Sequence, residues 1–376
     1  MSHLELLSGD SRTFIREVWG RRIHVHTMAA DDVAGLFDIE QADHLITQTA
    51  LRTPQLRLAQ SGSVLAESRY TREASIAGKP MTGLIDPRKV LDLFSGGATI
   101  VFQGLQRYWE PLRQLVRGLE TELGHPCQAN AYLTPPGSQG FALHSDSHDV
   151  FVFQTFGAKE WEVHDEAGAH QVSMVPGTSL YLPTGTPHMA RTQATASLHV
   201  TVGINRYVWR DLVRRVVESA LASDALGEPL PAELFADPDA LAAALTERLS
   251  DVADAVRDAD VAPILTRFER TFGSGRQPVL GGALLDRLAV DSLTADTALR
   301  RRPGSTCVLR QDGESLQLLL GDRVLTVPGR ITAGVEAVMG RTGAFTPSDL
   351  GEVLDEVSAL VLTRRLVREG LLEVVR

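Results

Sequence analysis

The feature that most constrains the fold is a run of short, β-rich segments between residues 128 and 205. Turns containing glycine, proline and serine separate these segments. Regular strands with such punctuation are typical of a β-sandwich or barrel. The segments are ANAYLTP, DVFVFQTFG, KEWEVHD, HQVSMV, TSLYLP and SLHVTVGI. Helical patterns precede and follow the run, so the chain is predicted to be α+β with a β-rich centre.

One segment, FALHSDSHDVFVF, places His144, Asp146 and His148 at every second position. Side chains alternate between the two faces of a strand, so these three groups are predicted to share one face. His188, in LYLPTGTPHMA, follows Asp146 by 42 residues, and closure of a barrel would bring it to the same place. Two imidazoles and one carboxylate bind one face of a metal and leave positions open, as in non-haem Fe(II) oxygenases.

The alternative to a metal site is a solvated strand edge, because an HxD pair often occurs by chance. The β-rich pattern and the distal histidine favour the metal site. His148 faces the same side as Asp146, and we predict that it lies behind the ligands or in the pocket wall. His164, His170 and His199 are interpreted as ordinary histidines, the last as a barrel residue.

The run NAYLTPPGSQGFALHSDSHDVFVFQTFGAKEW, with LYLPTGTPHMA and SLHVTVGI after it, resembles the ribosomal oxygenases. These form a branch of the JmjC 2-oxoglutarate-dependent oxygenases in the cupin superfamily. The resemblance implies a double-stranded β-helix (the cupin/JmjC barrel), a helical dimerisation region and a C-terminal winged-helix-like domain. The expected boundaries are 1–207 for the catalytic domain, 208–272 for the dimerisation region and 273–376 for the last domain.

The resemblance also implies that His144, Asp146 and His188 bind Fe(II), and that Lys159 holds the far carboxylate of the cosubstrate 2-oxoglutarate, with O2 as the second cosubstrate. Lys159 lies thirteen positions after Asp146 and is one of only three lysines among 37 basic residues. A cation in a low-dielectric site makes charge-assisted hydrogen bonds to a carboxylate. The alternative is a lysine at a strand start with its ammonium in water.

Further pocket residues are implied by the same resemblance. Asn130 and Tyr132 alternate on the strand before the HxD segment, and Thr201 lies on a late strand. All three are predicted to line the iron and cosubstrate pocket, with ordinary barrel side chains as the alternative. Gln139 and Ser145 are candidates for substrate contact that the sequence leaves undecided.

The predicted activity is Fe(II)- and 2-oxoglutarate-dependent hydroxylation of a histidine or arginine in a basic protein or peptide. The resemblance implies a ribosomal protein as substrate. A lysine demethylase and a peptide-tailoring hydroxylase remain as alternatives, as does a DNA-binding regulator with a cupin sensor. That regulator would use Arg364, Arg365 and Arg368 on phosphates. The acidic helix predicted before them and the net charge of −10 argue against direct nucleic-acid binding.

Residues 221–260 hold ten acidic residues and two arginines, a net charge of −8. Apolar residues recur there at helical spacing, which predicts one buried face, and the resemblance implies a homodimer. The alternative is a solvated helix packed on its own chain. These apolar residues are Leu241, Leu245, Leu249, Val252 and Val256.

The chain is predicted to be cytoplasmic and without a membrane partner. Its start lacks a basic stretch followed by an apolar run, and no window approaches 18 uncharged apolar residues. The two cysteines, Cys127 and Cys307, form no motif and are predicted to be reduced thiols.

Overall fold

The structure is a computed structural model that describes the backbone of residues 2–138, 142–230, 232 and 235–376, and their side chains except those of 191–194 and 225. Gln139 therefore lies outside the described residues. The chain divides into two compact units. Unit 1 comprises Met1–Arg206, Val279–Thr306 and Gly340–Arg376, and unit 2 comprises Tyr207–Pro278 and Cys307–Met339.

The strands, in chain order, are β1 (His24–Thr27), β2 (Leu56–Gln60), β3 (Ser63–Val64), β4 (Thr71–Ile76), β5 (Lys79–Ile85), β6 (Thr99–Phe102), β7 (Cys127–Thr134), β8 (Asp149–Asp165), β9 (Gly168–Met174), β10 (Thr178–Leu182), β11 (His188–Ile204), β12 (Leu299–Arg301), β13 (Val308–Asp312), β14 (Ser315–Leu319), β15 (Val324–Pro328) and β16 (Leu372–Val374). The α-helices are α1 (His3–Ser8), α2 (Ser11–Thr13), α3 (Ala30–Ala34), α4 (Ile39–Gln48), α5 (Pro87–Ser95), α6 (Glu110–Leu123), α7 (Trp209–Leu221), α8 (Pro238–Arg257), α9 (Val261–Ser274), α10 (Ala283–Ala289), α11 (Thr332–Met339) and α12 (Glu356–Arg368).

A nine-stranded antiparallel sheet dominates unit 1, with the strand order β1-β10-β8-β11-β7-β6-β2-β3 and with β9 paired to β8. The strands β8 and β11 are each 17 residues long and pair with one another from end to end. The first part of β8 also pairs with β10, and its last part pairs with β9. Most of the predicted β-rich segments therefore belong to one continuous sheet, which confirms the β-rich centre.

A bulge bends the two long strands beside the segment that carries Lys159. The register of β11 against β8 shifts between Thr192 and Ser197. Gly157 of β8 lies opposite this shift with a φ of +62°, and a Cβ on it would come within 1.8 Å of the Ala196 carbonyl oxygen. Glycine favours this backbone conformation, and the close approach leaves no room for a Cβ.

The core of unit 1 lies between the sheet and the N-terminal helices. The amphipathic helix α6 buries Leu112, Leu115 and Leu119 against it and ends at Gly124, whose φ is +73°. In the sequence, apolar residues at three-to-four spacing followed by a glycine predict that this helix ends at Gly124, and the structure confirms it. Each fully buried side chain of this size contributes about 1.5–3 kcal/mol. The core thus fixes the sheet on which the site is built.

Unit 2 contains α7, α8, α9 and α11 with the three-stranded sheet β13-β14-β15. The helix α8 packs on α7 but buries none of its residues within the single chain. Leu245 is 57% exposed and Leu249 is 60% exposed. The prediction of a buried face on this helix is therefore wrong for the isolated chain, because α7 covers too little of it.

The C-terminal part of the chain does not form one consecutive block. Residues 279–306 and 340–376 belong to unit 1, where β12 pairs with β16 and α10 contacts α12. Residues 307–339 belong to unit 2. The segment TPSDLGEVLDEVSALVLTRRLVREGLLEVV has the sequence pattern of a helix, a turn, a second helix and a strand. In the structure the first of these helices is a 3₁₀ turn, Pro347–Leu350, and the second is α12. The winged-helix-like character of this region stays a prediction.

Candidate metal and cosubstrate site

His144, Asp146 and His188 come together in unit 1. One ligand atom from each residue lies within 4.8 Å of the other two, and no other group of this kind occurs in the part of the chain that the structure describes. Nε2 of His188 is 3.8 Å from Oδ2 of Asp146, and the centroids of the two imidazoles are 4.4 Å apart. His188 is buried, Asp146 is half-buried and His144 is exposed. The group is thus accessible from one side.

A backbone bridge positions His144. Its N–H donates to the His188 carbonyl at 3.1 Å, and the His188 N–H donates to the His144 carbonyl at 2.8 Å. The Gly185 N–H donates to the Asp146 carbonyl at 2.9 Å. The strand β8 begins only at Asp149. The prediction that His144, Asp146 and His148 share one strand face is therefore wrong, because this segment is a loop that is tied to the turn before β11 and to its first residue.

Asp149 fixes the end of this loop. Its carboxylate is fully buried and accepts hydrogen bonds from the Thr184 N–H at 2.8 Å and from the Tyr181 hydroxyl. The Arg206 guanidinium lies 3.0 Å from the same carboxylate and neutralises it. A buried carboxylate with several donors and a cation is well compensated. The loop of residues 142–148, called the ligand loop below, is consequently held in place at the end that joins β8.

The backbone also sets the tautomers of both histidines. Nδ1 of His144 lies 2.8 Å from the Ala142 carbonyl oxygen, and Nδ1 of His188 lies 2.9 Å from the Thr186 carbonyl oxygen. A carbonyl only accepts, so each Nδ1 carries the proton and each Nε2 presents its lone pair. Burial lowers the pKa of His188, which favours the neutral, metal-binding form. Two imidazoles and one carboxylate are a donor set that suits Fe(II).

His148 lies apart from this group. A Cβ on Gly203 of β11 would come within 2.6 Å of Nε2 of His148, so the imidazole packs over that glycine. His148 does not belong to the described residues that line the cavity beside the triad. Of the two places predicted for His148, the pocket wall is not supported, because the loop before β8 turns this side chain towards Gly203; a place behind the ligands stays a prediction.

The triad opens into a cavity of about 240 Å³. One wall is a row of paired residues across four strands, in which Arg57 pairs with Val101, Val101 with Tyr132, and Tyr132 with His199. A second row, two residues further along each strand, contains Thr99 and Thr134, whose hydroxyls are 3.3 Å apart. The cavity therefore lies against the β2-β6-β7-β11 part of the sheet.

Lys159 reaches this second row from β8. It is 3% exposed, and its Nζ donates to the Thr134 hydroxyl at 3.2 Å. Burial lowers its pKa to about 8. The alternative of a lysine with its ammonium in water is therefore wrong. Its described hydrogen-bond partner is neutral, and a buried ammonium is costly until an anion pairs with it. A carboxylate in the cavity would supply that anion.

Three aromatic rings connect the metal group to the cavity wall. Trp161 stacks on His188 with centroids 5.6 Å apart and meets the edge of His199 at 5.5 Å. Tyr132 stacks on His199 at 5.0 Å. Burial, followed by the charge of Lys159, holds the pKa of His199 well below its ordinary value, so this ring is neutral. His199 is thus part of the cavity wall, beyond the ordinary barrel role given to it from sequence.

Of the remaining predicted pocket residues, some line the cavity and others do not. Tyr132 and Thr201 line the cavity. Asn130 pairs with Thr201 across the strands, but its side-chain oxygen accepts a hydrogen bond from the Gly104 N–H at 2.9 Å, and it is absent from the described lining residues. Ser145 is exposed in the ligand loop. The roles assigned to these residues stay predictions.

A family model of the JmjC domain matches residues 107–173 and 164–212. The match covers less than half of the chain, so the chain is similar over these residues, which hold most of the sheet and the His-Asp-His group, to the class of JmjC domains. Within that class the chain resembles the ribosomal oxygenases. Ribosomal oxygenase 1 of Danio rerio is 29% identical over 236 residues, which are 56% of this chain and 42% of that protein.

Two further comparisons, with a curated protein and with a solved structure, give relatives of the same kind. A bifunctional lysine-specific demethylase and histidyl-hydroxylase of Branchiostoma floridae is 38% identical over 141 residues, 37% of this chain and 23% of that protein. The chain thus spans less than half the length of these two curated relatives. The crystal structure of Escherichia coli ribosomal oxygenase YcfD superposes with a TM-score of 0.57 at 16% identity, covering 98% of this chain and 99% of that one. This likeness shows a shared fold.

Proposed function

We propose that this chain is an Fe(II)- and 2-oxoglutarate-dependent oxygenase that hydroxylates a protein side chain. The observation that carries the proposal is the shared cavity. The His144, Asp146 and His188 group opens into the same space as Lys159, a buried cation whose described hydrogen-bond partner is uncharged. A cosubstrate with a metal-chelating end and a free carboxylate matches both features. A structure of YcfD is described as a complex with cobalt and 2-oxoglutarate, which supports this choice.

Each residue then has a defined task. Bound Fe(II) would supply the redox chemistry that couples decarboxylation of 2-oxoglutarate to insertion of one oxygen atom into a C–H bond. The imidazoles of His144 and His188 bind as neutral ligands, and their carbonyl partners keep them in that tautomer. Trp161, stacked on His188, limits rotation of this ring. Lys159 pairs with the distal carboxylate and orients the cosubstrate.

The proposed substrate is a basic protein, in particular a ribosomal protein. The names of the relatives support this class, and the net charge of −10 favours encounter with a basic partner. We further propose a homodimer formed through α8, whose apolar side chains stay exposed in the single chain. The proposed location is the cytoplasm, in keeping with the two free cysteines.

The DNA-binding alternative is poorly supported. Arg364 donates to the backbone carbonyls of Asp291 and Leu293, and Arg368 pairs with the Asp291 carboxylate. Arg365 pairs with Glu369 at 2.9 Å. These arginines hold their own domain together, so their charges are partly neutralised.

Among the described residues, no helix is long and apolar enough to cross a bilayer.

Conversion of 2-oxoglutarate to succinate by the purified protein, with Fe(II) added, tests the proposal. Turnover should occur in the parent and should fall to background in His188→Ala, because a metal ligand is lost. The matched control is His148→Ala, which removes an imidazole that packs on Gly203. It should keep both metal binding and turnover. Turnover that persists in His188→Ala, or metal binding that is lost in His148→Ala, would refute the ligand assignment.

A further inference from the structure

Arg57 places a second cation on the cavity wall. It lies on β2, in the row that continues through Val101 to Tyr132. Paired residues on neighbouring antiparallel strands point to the same face of the sheet. The guanidinium therefore shares a face with the Tyr132 ring, and both residues line the cavity. Arg57 lies 102 residues before Lys159 in the chain and outside the residues that the JmjC model matches.

The contacts of Arg57 place it towards the metal group. It interacts with the Tyr132 hydroxyl, which also bonds to Thr201 and lies within the field of the Asp146 carboxylate. Lys159 instead bonds to Thr134 in the neighbouring row. The two cations thus serve different parts of the cavity. Nε of Arg57 is buried and has no hydrogen-bond partner among the described residues.

The charges of the filled cavity leave Arg57 without an anion to pair with. With the cosubstrate bound, its distal carboxylate pairs with Lys159. Its chelating carboxylate and Asp146 neutralise the divalent metal. Among the described residues that line the cavity, Arg57 remains as the cation without a paired anion, and its contact with Tyr132 places it on the side of the metal group. A donor left unpaired in such a site favours a ligand with an acceptor, and a like charge there is disfavoured.

We propose that Arg57 determines which side chain is hydroxylated, by excluding cationic side chains and donating a hydrogen bond to a neutral one that carries an acceptor. Imidazole and carboxamide side chains meet this requirement. Arginine, lysine and methyl-lysine do not, so the site is a hydroxylase for a neutral residue within a basic protein. The proposal rests on the proposed oxygenase function. The overall acidity attracts the basic protein, whereas Arg57 sorts its side chains at short range.

A peptide panel tests this selectivity. Each peptide has the same basic sequence and differs only at its central residue, which is histidine, asparagine, arginine, lysine or trimethyl-lysine. The parent should oxidise the histidine or asparagine peptide with a kcat/KM at least about 30-fold above that of the three cationic peptides. Two like charges about 6 Å apart at an effective dielectric of about 20 give a factor on the order of 100. Mass spectrometry of a +16 Da shift or of methyl loss measures the products.

Variants of Arg57 separate charge from shape. Arg57→Gln removes the charge and should reduce the ratio of neutral to cationic turnover to within about threefold of one. Arg57→Lys keeps the charge and should keep most of the discrimination. Arg72→Gln, an exposed arginine of β4 outside the cavity, is the control and should keep the parent ratio. Arg57→Lys also supplies a second variant at this position if Arg57→Gln fails to fold.

Four outcomes would overturn the proposal. The first is a parent that hydroxylates the arginine peptide or demethylates the trimethyl-lysine peptide as efficiently as it oxidises the neutral ones. The second is a ratio that stays at the parent value in Arg57→Gln. The third is a loss of discrimination in Arg57→Lys as large as that in Arg57→Gln. The fourth is a KM for 2-oxoglutarate that rises in Arg57→Gln by as large a factor as the ratio of neutral to cationic turnover falls, because Arg57 would then bind the cosubstrate. Succinate formation by the parent without peptide reports on the oxygenase function separately.

Discussion

At the scale of single residues, the burial of Lys159 has a direct effect on the cosubstrate binding proposed for it. The residue is 3% exposed, and burial lowers its pKa to about 8. Below that pH the free protein already carries the charge that a carboxylate needs. Above it, binding must also take up a proton, because the carboxylate favours the protonated lysine.

The KM for 2-oxoglutarate should therefore be nearly constant from pH 6.5 to 7.5 and should rise up to about tenfold per unit above pH 8. Initial rates at varied 2-oxoglutarate and saturating Fe(II) measure this dependence. In Lys159→Ala the KM should be roughly 30- to 1000-fold higher at pH 7, for a loss of about 2–4 kcal/mol, and its rise above pH 8 should disappear. A KM that rises with pH equally in both proteins would assign the titration to another group.

The sequence led to some site residues and not to others for a physical reason. Lys159 stands out because only three of the 37 basic residues are lysines, whereas Arg57 is one of the remaining 34, all arginines. The place of Arg57 depends on the register of β2 against β6 and of β6 against β7. Pairing between strands distant in the chain leaves little local signal. Thr134, the partner of Lys159, was missed for the same reason.

At the scale of elements, the bend between β8 and β11 depends on Gly157. An alanine there would combine a positive φ with a Cβ placed 1.8 Å from the Ala196 carbonyl. Gly157→Ala should destabilise the protein by more than about 3 kcal/mol, since strain of about 1–3 kcal/mol adds to the overlap. Gly124→Ala is the control, because Gly124 has a φ of +73° and open space around its Cβ position. Urea unfolding measures both, and equal losses would show that the overlap relaxes at no cost.

The helix α8 supports the proposed dimer through its exposed apolar residues. Leu245→Asp with Leu249→Asp should convert the proposed dimer to a monomer, because a charge is costly in a buried apolar interface. Leu288→Asp on α10, where Leu288 is 78% exposed, is the matched control and should leave the mass unchanged. Light scattering at micromolar concentration gives both masses. A parent that is already monomeric would end the proposal.

Elements were predicted best where a periodic pattern coincided with clear stop signals. The end of α6 at Gly124 and the β-rich run from 128 to 205 are examples. The sequence predicts a strand for the ligand loop because ionisable residues recur there at every second position, which is the period of a strand. Its actual conformation depends on the bonds from His188 and Gly185, which lie about 40 residues away in the sequence.

At the scale of the whole molecule, charge is distributed unevenly. The stretch 221–260 carries −8 of the net −10. Asp251 and Asp254 pair with arginines on the surface of α8, where such pairs contribute little and leave the excess negative charge in place. The domain boundaries were harder to predict than this asymmetry. The chain returns to unit 1 twice after leaving the sheet, and composition does not reveal such returns.

The charge distribution predicts a salt-dependent reaction. The apparent affinity for a basic peptide should fall several-fold between about 20 and 300 mM salt, because charges beyond about 8–10 Å are screened at physiological ionic strength. Replacing Asp251, Asp254 and Asp258 with asparagine should weaken this dependence. Peptide KM at fixed 2-oxoglutarate measures it, with a neutral peptide as the control. A triple variant with the parent's salt dependence would mean that these charges only keep the protein soluble.

The paired backbone hydrogen bonds between His144 and His188 have a consequence for synthesis of the protein. These residues are 44 positions apart, so the bridge forms only after β11 has joined β8. A growing chain that has emerged only as far as β10 holds one histidine and the aspartate but not the second imidazole, and it lacks the bonds that orient them. Under the proposed function, iron would therefore be captured late, by a chain that has already folded around the place where oxygen is used.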